Sequence, residues 1–351
     1  MALLVTSIAG QTSGAKVAQL GGKTIGLFIL IILFSSLFAF VAVPPLLALL
    51  SIDPQASASL LESTGYGANA TNELPPFSEW FVSLIPDNPF AAAADGAILP
   101  LLIFTGLFAI ALLRIEEKQR KVIVEVFDAI KSAMFVIITW IMLLAPIGIF
   151  ALVFPLTATL GVSAITVLGS FIVIVCGLLA VMALILYPLV ASVAGIPMAR
   201  FARTAAPAQV IGFSTRSSLA SMPATYAAAA ALGIPERVTG IVLPIAVTLF
   251  KYASPFARTA GTYFVAALYG IDLSVFELFV IALSIGLLSF YSPGIPSGGL
   301  LIMAPVYLSL GLPVEGIGIL IAIDLIVDMF ITTANVTANI ACSALIAKFR
   351  Q

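Results

Sequence analysis

Residues 321–347 read IAIDLIVDMFITTANVTANIACSALIA, a run long and apolar enough to span a bilayer that nevertheless carries Asp324, Asp328, Thr332, Asn335 and Asn339. The steps between those five are four, four, three and four residues, so on an α-helix they form one stripe. A charge near a bilayer centre costs at least ~2.5–3.5 kcal/mol on insertion scales, so two carboxylates on one stripe need partners, water or a ligand. One reading makes the stripe a ligand-binding row. The other makes its carboxylates partners of buried Arg or Lys elsewhere in the bundle.

The rest of the chain sets that stripe in a membrane. Of 351 residues, 62% are hydrophobic and 9% charged, and the mean hydropathy is +1.21, which describes a polytopic, all-α membrane protein in contact with a lipid bilayer. No basic tract points to nucleic acid. There is no histidine, which excludes a His-based triad, an H-E-x-x-H zinc site and a histidine proton relay together. Cys176 and Cys342 sit in apolar runs and read as small core residues, so no disulfide framework, metal cluster or cofactor is indicated.

Charge placement gives the orientation. After Lys16 and Lys23 comes an apolar span, 24–50. Residues 51–95 hold Asp53, Glu62, Glu73, Glu79, Asp87 and Asp95 without one Lys or Arg. The next span, 97–113, ends at Arg114, Lys118, Arg120, Lys121 and Lys131, so that cluster is cytoplasmic and the acidic loop external. Spans follow at 132–156 outward and 164–193 inward, where Arg200 and Arg203 mark the cytoplasm.

Three broken segments come next. Residues 205–232 are interrupted at Gly212 to Ser218 and again at Pro223, with basic flanks on both sides, which suits a segment that enters and returns. Residues 238–268 cross outward with Lys251-Tyr252-Ala253-Ser254-Pro255 near the centre and Arg258 beyond it. Residues 278–312 are broken at Tyr291 to Gly299 and have acidic flanks. Two Gly/Pro/Ser-interrupted segments entering from opposite sides point to inverted repeats around a midplane site. The stripe helix, about 316–347, then crosses inward to Lys348 and Arg350, leaving the C-terminus cytoplasmic.

With these residues in view the chain resembles the dicarboxylate/amino acid:cation symporter family, the glutamate-transporter-like proteins. Thr215-Arg216-Ser217-Ser218 through Pro223 is similar to the serine-rich tip of the family's first hairpin, and Gly294-Ile295-Pro296-Ser297-Gly298-Gly299 to the tip of the second. Asp324, Asp328-Met329, Thr332 and Asn335-Val336-Thr337 resemble its last helix, and Pro86 to Phe90 and Ala145 to Gly148 resemble its earlier helices. The resemblance implies a homotrimeric elevator with two opposed re-entrant hairpins, about 205–232 and 278–312. It implies a scaffold of residues 1–22 and 51–160 and a mobile transport domain of 23–50 and 161–351. It also implies that Met1 falls inside the family's second helix, with the preceding helix and part of that one missing.

Carried over residue by residue, the resemblance gives Asp328 the substrate's ammonium and Asn335 its α-carboxylate. Arg216, Ser217, Ser218 and Thr332, with Ile295 and Pro296, complete that face. An ionised Asp accepts charge-assisted hydrogen bonds, while Asn and backbone N–H groups donate to an anion. Arg216 at the first tip is expected to pair with Asp324 or Asp328. Family members that carry acidic amino acids have an arginine where this chain has Ile331, so a neutral amino acid is favoured over aspartate or glutamate.

The cation sites depart further. Where the family has Asn-Met-Asp-Gly-Thr in its broken seventh helix, this chain has Phe250-Lys251-Tyr252-Ala253-Ser254, and a second sodium-binding Asp is replaced by Asn339. The Tyr and Thr of a third-helix sodium site align with Ile31 and Phe34. Sodium, a hard cation, wants oxygen ligands. Lys251, Tyr252, Ser254, Arg258, Asp324 and Asn339 are therefore residues of a former or substituted cation site. In one reading Lys251 is a tethered ammonium in place of sodium, with transport coupled to protons, to exchange or to neither. In the other it only neutralises Asp324 or Asp328, and Na+ or H+ remains the coupling ion. The rival from another class, an intramembrane hydrolase using Ser254 with Lys251 or the paired Asp324 and Asp328, leaves the two opposed hairpins unexplained.

Overall fold

The computed structural model describes residues 2–10, 15–48, 85–94, 98–159, 162–291, 300, 303–309 and 311–348. Among these it is helical almost throughout, as a chain in lipid must be when its backbone groups have no water to bond. The helices are α1 (Ala2–Ala9), α2 (Ala15–Leu47), α3 (Pro89–Ala94), α4 (Ile98–Leu112), α5 (Glu117–Thr159), α6 (Val162–Leu189), α7 (Met198–Thr215), α8 (Met222–Ala231), α9 (Glu236–Leu249), α10 (Ser254–Leu268), α11 (Val275–Leu288), α12 (Met303–Ser309) and α13 (Gly316–Lys348). Three stretches are long and apolar enough to cross a membrane: Gly22–Leu47, Thr166–Ala194 and Gly316–Lys348. Large apolar side chains such as Leu30, Val41, Val173 and Leu184 stand exposed on the first two, which suits helices solvated by lipid.

Two separate apolar clusters hold the described helices. The smaller joins Val5 and Ala9 of α1 to Ala109 and Leu112 of α4, with Phe127 of α5 packed against them. The larger gathers α2 and α6 through α13. Its centre is α10, buried at every residue but Ala267. Ring pairs tie it and the segment just before it to their neighbours: Phe28 stacks on Phe250 at 4.2 Å, Phe38 lies tilted by Phe256 at 5.6 Å, and Phe171 stacks on Phe264 at 4.1 Å. α13 lies against α6 and α7 along much of its length.

Several boundaries differ from the hydropathy reading. α2 starts at Ala15, eight residues before the expected 23, and runs through Gly21 and Gly22 without a break. α5 does not begin at the apolar residue 132 but at Glu117. Its first turns are solvated, with Lys121 Nζ 2.8 Å from Glu117, and its 43 residues run about 65 Å, well beyond a bilayer core. α6 ends in a π turn, Val190–Ala194, shortly after Pro188, and Gly195 at φ 70° closes it.

The first interrupted segment is two helices, α7 and α8. α7 begins at Met198 rather than 205, and the guanidinium of Arg200 near its start donates to the carbonyl of Ala231 at the end of α8, 2.9 Å away. The base of the pair is thereby closed. The middle interrupted segment is two helices, α9 and α10, with residues 250–253 unwound between them. In the third, α11 starts with a capping box in which Ser274 and Glu277 satisfy each other's backbone N–H. Ile295, Pro296 and the rest of the expected second tip, like residues 51–84, lie outside the described residues.

Candidate functional site

The site is built where the unwound 250–253 segment meets the stripe of α13. Pro255 at the head of α10 has no N–H to give, and Phe250 is extended at φ −99°, ψ 104°, so the helix cannot run through. One N–H freed by this break, that of Ala253, donates to Asn335 Oδ1 at 2.8 Å. The stripe residue is thus a splint for the broken helix as well as a candidate ligand. Its amide NH2 remains as the donor half of the group. The Tyr252 hydroxyl donates to Met182 O of α6 at 3.3 Å. Ser254 is buried at the start of α10, its N–H reaching Lys251 O at 3.3 Å.

All five stripe residues are buried, which places them inward and not toward lipid. Arg258, one turn into α10, reaches both carboxylates: Nη1 is 2.5 Å from Asp324 Oδ1 and Nη2 is 4.0 Å from Asp328 Oδ1. Lys251 is buried too; its ammonium donates to Val247 O in the last turn of α9 and interacts electrostatically with Asp328. The pairing expected for Arg216 is therefore made by Arg258. Arg216 instead turns the chain at the end of α7 at φ 53°, its N–H donating to Gly212 O at 2.9 Å, and it is only half-buried. A residue engaged in that left-handed cap sits where Gly usually does.

The first tip nonetheless abuts the stripe. A Cβ on Gly212 would lie 3.1 Å from Val336 Cγ2 and 3.4 Å from Thr332 Cγ2, so the absence of a side chain lets α7 approach α13. Phe213 meets Phe330 edge-on at 5.5 Å. Ser218 is buried and Ser217 half-buried, and the turn is held by Ser221 Oγ donating to Ser218 O at 2.9 Å and Ala220 N donating to Ser217 Oγ at 3.2 Å. Asn339 Oδ1 is buried with no hydrogen-bond partner, as are Arg258 Nε and Asp324 Oδ2. Ile331 is buried among apolar neighbours of the larger cluster.

The sequence model of the sodium:dicarboxylate symporter family matches residues 1–349. The chain belongs to that family. Among curated relatives of this sodium:dicarboxylate symporter family protein, the proton/glutamate-aspartate symporter of Escherichia coli K12 is 28% identical over 359 residues, covering 99% of this chain and 80% of that one. The proton/sodium-glutamate symport protein of Bacillus subtilis is 26% identical over 353 residues, covering 99% and 80%. The C4-dicarboxylate transport protein of the same organism is 26% identical over 271 residues, covering 77% and 64%. As a member of the family this chain is a membrane transporter and not an enzyme, which disposes of the hydrolase reading.

Some polar residues at this junction escape sequence reasoning. Gln209 of α7 donates to Tyr187 Oη of α6 and to Thr337 Oγ1 of α13, both at 2.8 Å, tying three helices together. Ser35 and Ser36 of α2 are buried with unpartnered hydroxyls. A lone amide in the apolar run 205–211 is the only signal the sequence offers for the first, and two serines in a span are too common to be one for the second.

Proposed function

We propose that this family member is a secondary transporter of a small amino acid, neutral in its side chain, or of a related carboxylate, and that its coupling ion is not the usual sodium. In this reading Asp328 accepts the substrate's ammonium, and the Asn335 amide with the Ser217–Ser218 turn donates to its α-carboxylate. The tip around Ile295 and Pro296 closes the opposite side. The smaller apolar cluster serves as the scaffold, the larger one moves as an elevator, and three copies assemble around their scaffolds. The C-terminus is cytoplasmic.

The observation that supports the altered ion is the meeting of two tethered cations, Arg258 and Lys251, with the two stripe carboxylates at the broken helix. A sodium ion there would face an ammonium and a guanidinium where oxygen-rich ligands are needed. Reconstituted protein, assayed for uptake under a sodium gradient, a proton gradient and neither, tests the reading; strict dependence on sodium would sink it. A second reading, a sodium- or proton-coupled symporter of dicarboxylates or acidic amino acids, draws on the named substrates of the relatives and on Arg258. A guanidinium 4.0 Å from Asp328 is close enough to the stripe to hold a second carboxylate in place of the arginine missing at Ile331. Competition for uptake by serine, aspartate and succinate separates the two.

A further inference from the structure

α7 carries the first tip and α13 the stripe, and the two helices run antiparallel: Gln209 meets Thr337, Gly212 lies against Val336 and Thr332, and Phe213 meets Phe330. The last two of these contacts are apolar, and apolar contact has no direction. By itself it lets one helix slide or turn on the other. Gln209 is different. The single hydroxyl proton of Thr337 goes to Thr333 O at 2.7 Å, so Thr337 Oγ1 accepts from Gln209, which turns Nε2 toward α13. The second proton of the same NH2 goes to Tyr187 Oη of α6, whose ring stands edge-on to Phe201 of α7 at 5.2 Å. One amide thus fixes α7 against two helices, with both of its donor protons engaged.

We propose that Gln209 is a positioning residue of the substrate site: it sets the register of α7 on α13, and so the gap between the Ser217–Ser218 turn and Asn335. This rests on the transporter reading above, in which that turn and the Asn335 amide donate to one carboxylate. Donors carried by two helices converge on one anion only while those helices keep a single register. A polar pair in an otherwise apolar helix contact supplies that register, and contributes more to specificity than to stability. The route from Gln209 to the site is short. Thr337 is two residues beyond Asn335 on α13, and Gln209 is eight before Ser217. Gln209 itself touches no substrate group and acts through Asn335 and the turn.

The test uses the full chain in proteoliposomes, with uptake of labelled L-alanine, L-aspartate and succinate measured over a range of concentrations. Gln209→Met keeps the length of the side chain and removes the amide. In Q209M the KM of every transported probe rises by about ten-fold, the order of preference among probes is kept, and the maximal rate per folded protein stays within about three-fold. Thr337→Val gives the same rise, Thr337→Ser does not, and Q209M/T337V is no worse than Q209M. Spin labels on Ser214→Cys and Lys348→Cys, both exposed positions, read the register without substrate in a background where the two native cysteines are alanine. Their separation is single in the parent protein and gains in Q209M a second population displaced by about 5 Å, one helical turn. A KM or a spin-label separation that Q209M leaves unchanged overturns the inference and leaves the transporter reading standing. So does a loss confined to the maximal rate, which is what a merely structural residue gives. Absence of flux for all three probes overturns the transporter reading, and the register then stands or falls on the spin-label separation.

Discussion

Asn335 Oδ1 and the backbone N–H of Ala253 are joined by a 2.8 Å hydrogen bond between residues 82 apart in sequence, and this bond fixes the broken helix to the last one. Removing the acceptor in Asn335→Ala orphans a buried N–H at a cost of about 1–3 kcal/mol. We expect the unfolding temperature of the detergent-solubilised protein to fall. The stabilisation that an added substrate gives the wild type is expected to vanish with it. A variant that keeps wild-type stability would show the splint to be dispensable.

Arg216 is the one non-glycine residue with positive φ among those described. The left-handed region costs an L-residue about 1–2 kcal/mol relative to glycine. Arg216→Gly is therefore expected to raise stability, less what the more flexible unfolded chain gains. If its guanidinium serves the substrate, as the family resemblance implies, uptake drops in the same variant. A loss of stability would reveal a contact of the side chain with the rest of the protein.

Ser36 and Gly286 are pressed together where α2 meets α11. A Cβ on Gly286 would stand 2.1 Å from Ser36 Oγ and 3.2 Å from Ser36 Cβ. Gly286→Ala is expected to cost about 1–3 kcal/mol by overpacking, while Ser36→Ala, which deletes an unpartnered hydroxyl, is close to neutral. In the double variant most of the loss is recovered, a coupling that thermal unfolding of the four proteins measures directly. Additive effects would mean that the two helices part without Ser36 being the obstacle.

At the head of α11, Ser274 N donates to Glu277 Oε2 at 2.7 Å and Glu277 N donates to Ser274 Oγ at 3.3 Å. Ser274→Ala removes half of this box and is expected to cost about 1 kcal/mol. Hydrogen exchange should accelerate in the first turn of α11 more than in its middle. Uniform exchange along the helix would place the effect elsewhere.

What could be read in the chain before any coordinates follows from the range of the forces involved. The stripe of α13, the break at 250–253 and the turn at 216–221 are local patterns: a helical period and a proline or serine in an apolar run announce them. The partner of Asp324 is not local. Arg258 stands 66 residues away, and of the cations near the stripe in sequence order nothing marks it above Arg216 or Lys251. Arg216 looked suited to the task because it lies at a tip, yet a tip needs a residue to turn the chain, and the backbone took it for that purpose. Gln209 was invisible for the reverse reason. Its two partners come from α6 and α13, and only packing brings them together. The start of α5 at Glu117 was missed because hydropathy reports where lipid begins, not where a helix does.

The burial of α13 changes character along its length. Up to Phe330 it alternates, with Leu325 and Ile326 exposed and Asp324, Val327 and Asp328 covered; from Ile331 to Ile346 every residue is buried except the half-buried Thr333. A helix enclosed on all sides has no permissive face. The spectrum of viable alleles should accordingly be periodic through the first four turns and nearly empty after them. Changes can thus be absorbed on the open face of the early turns, whereas the later ones behave as a mast whose outline is fixed by every neighbour at once.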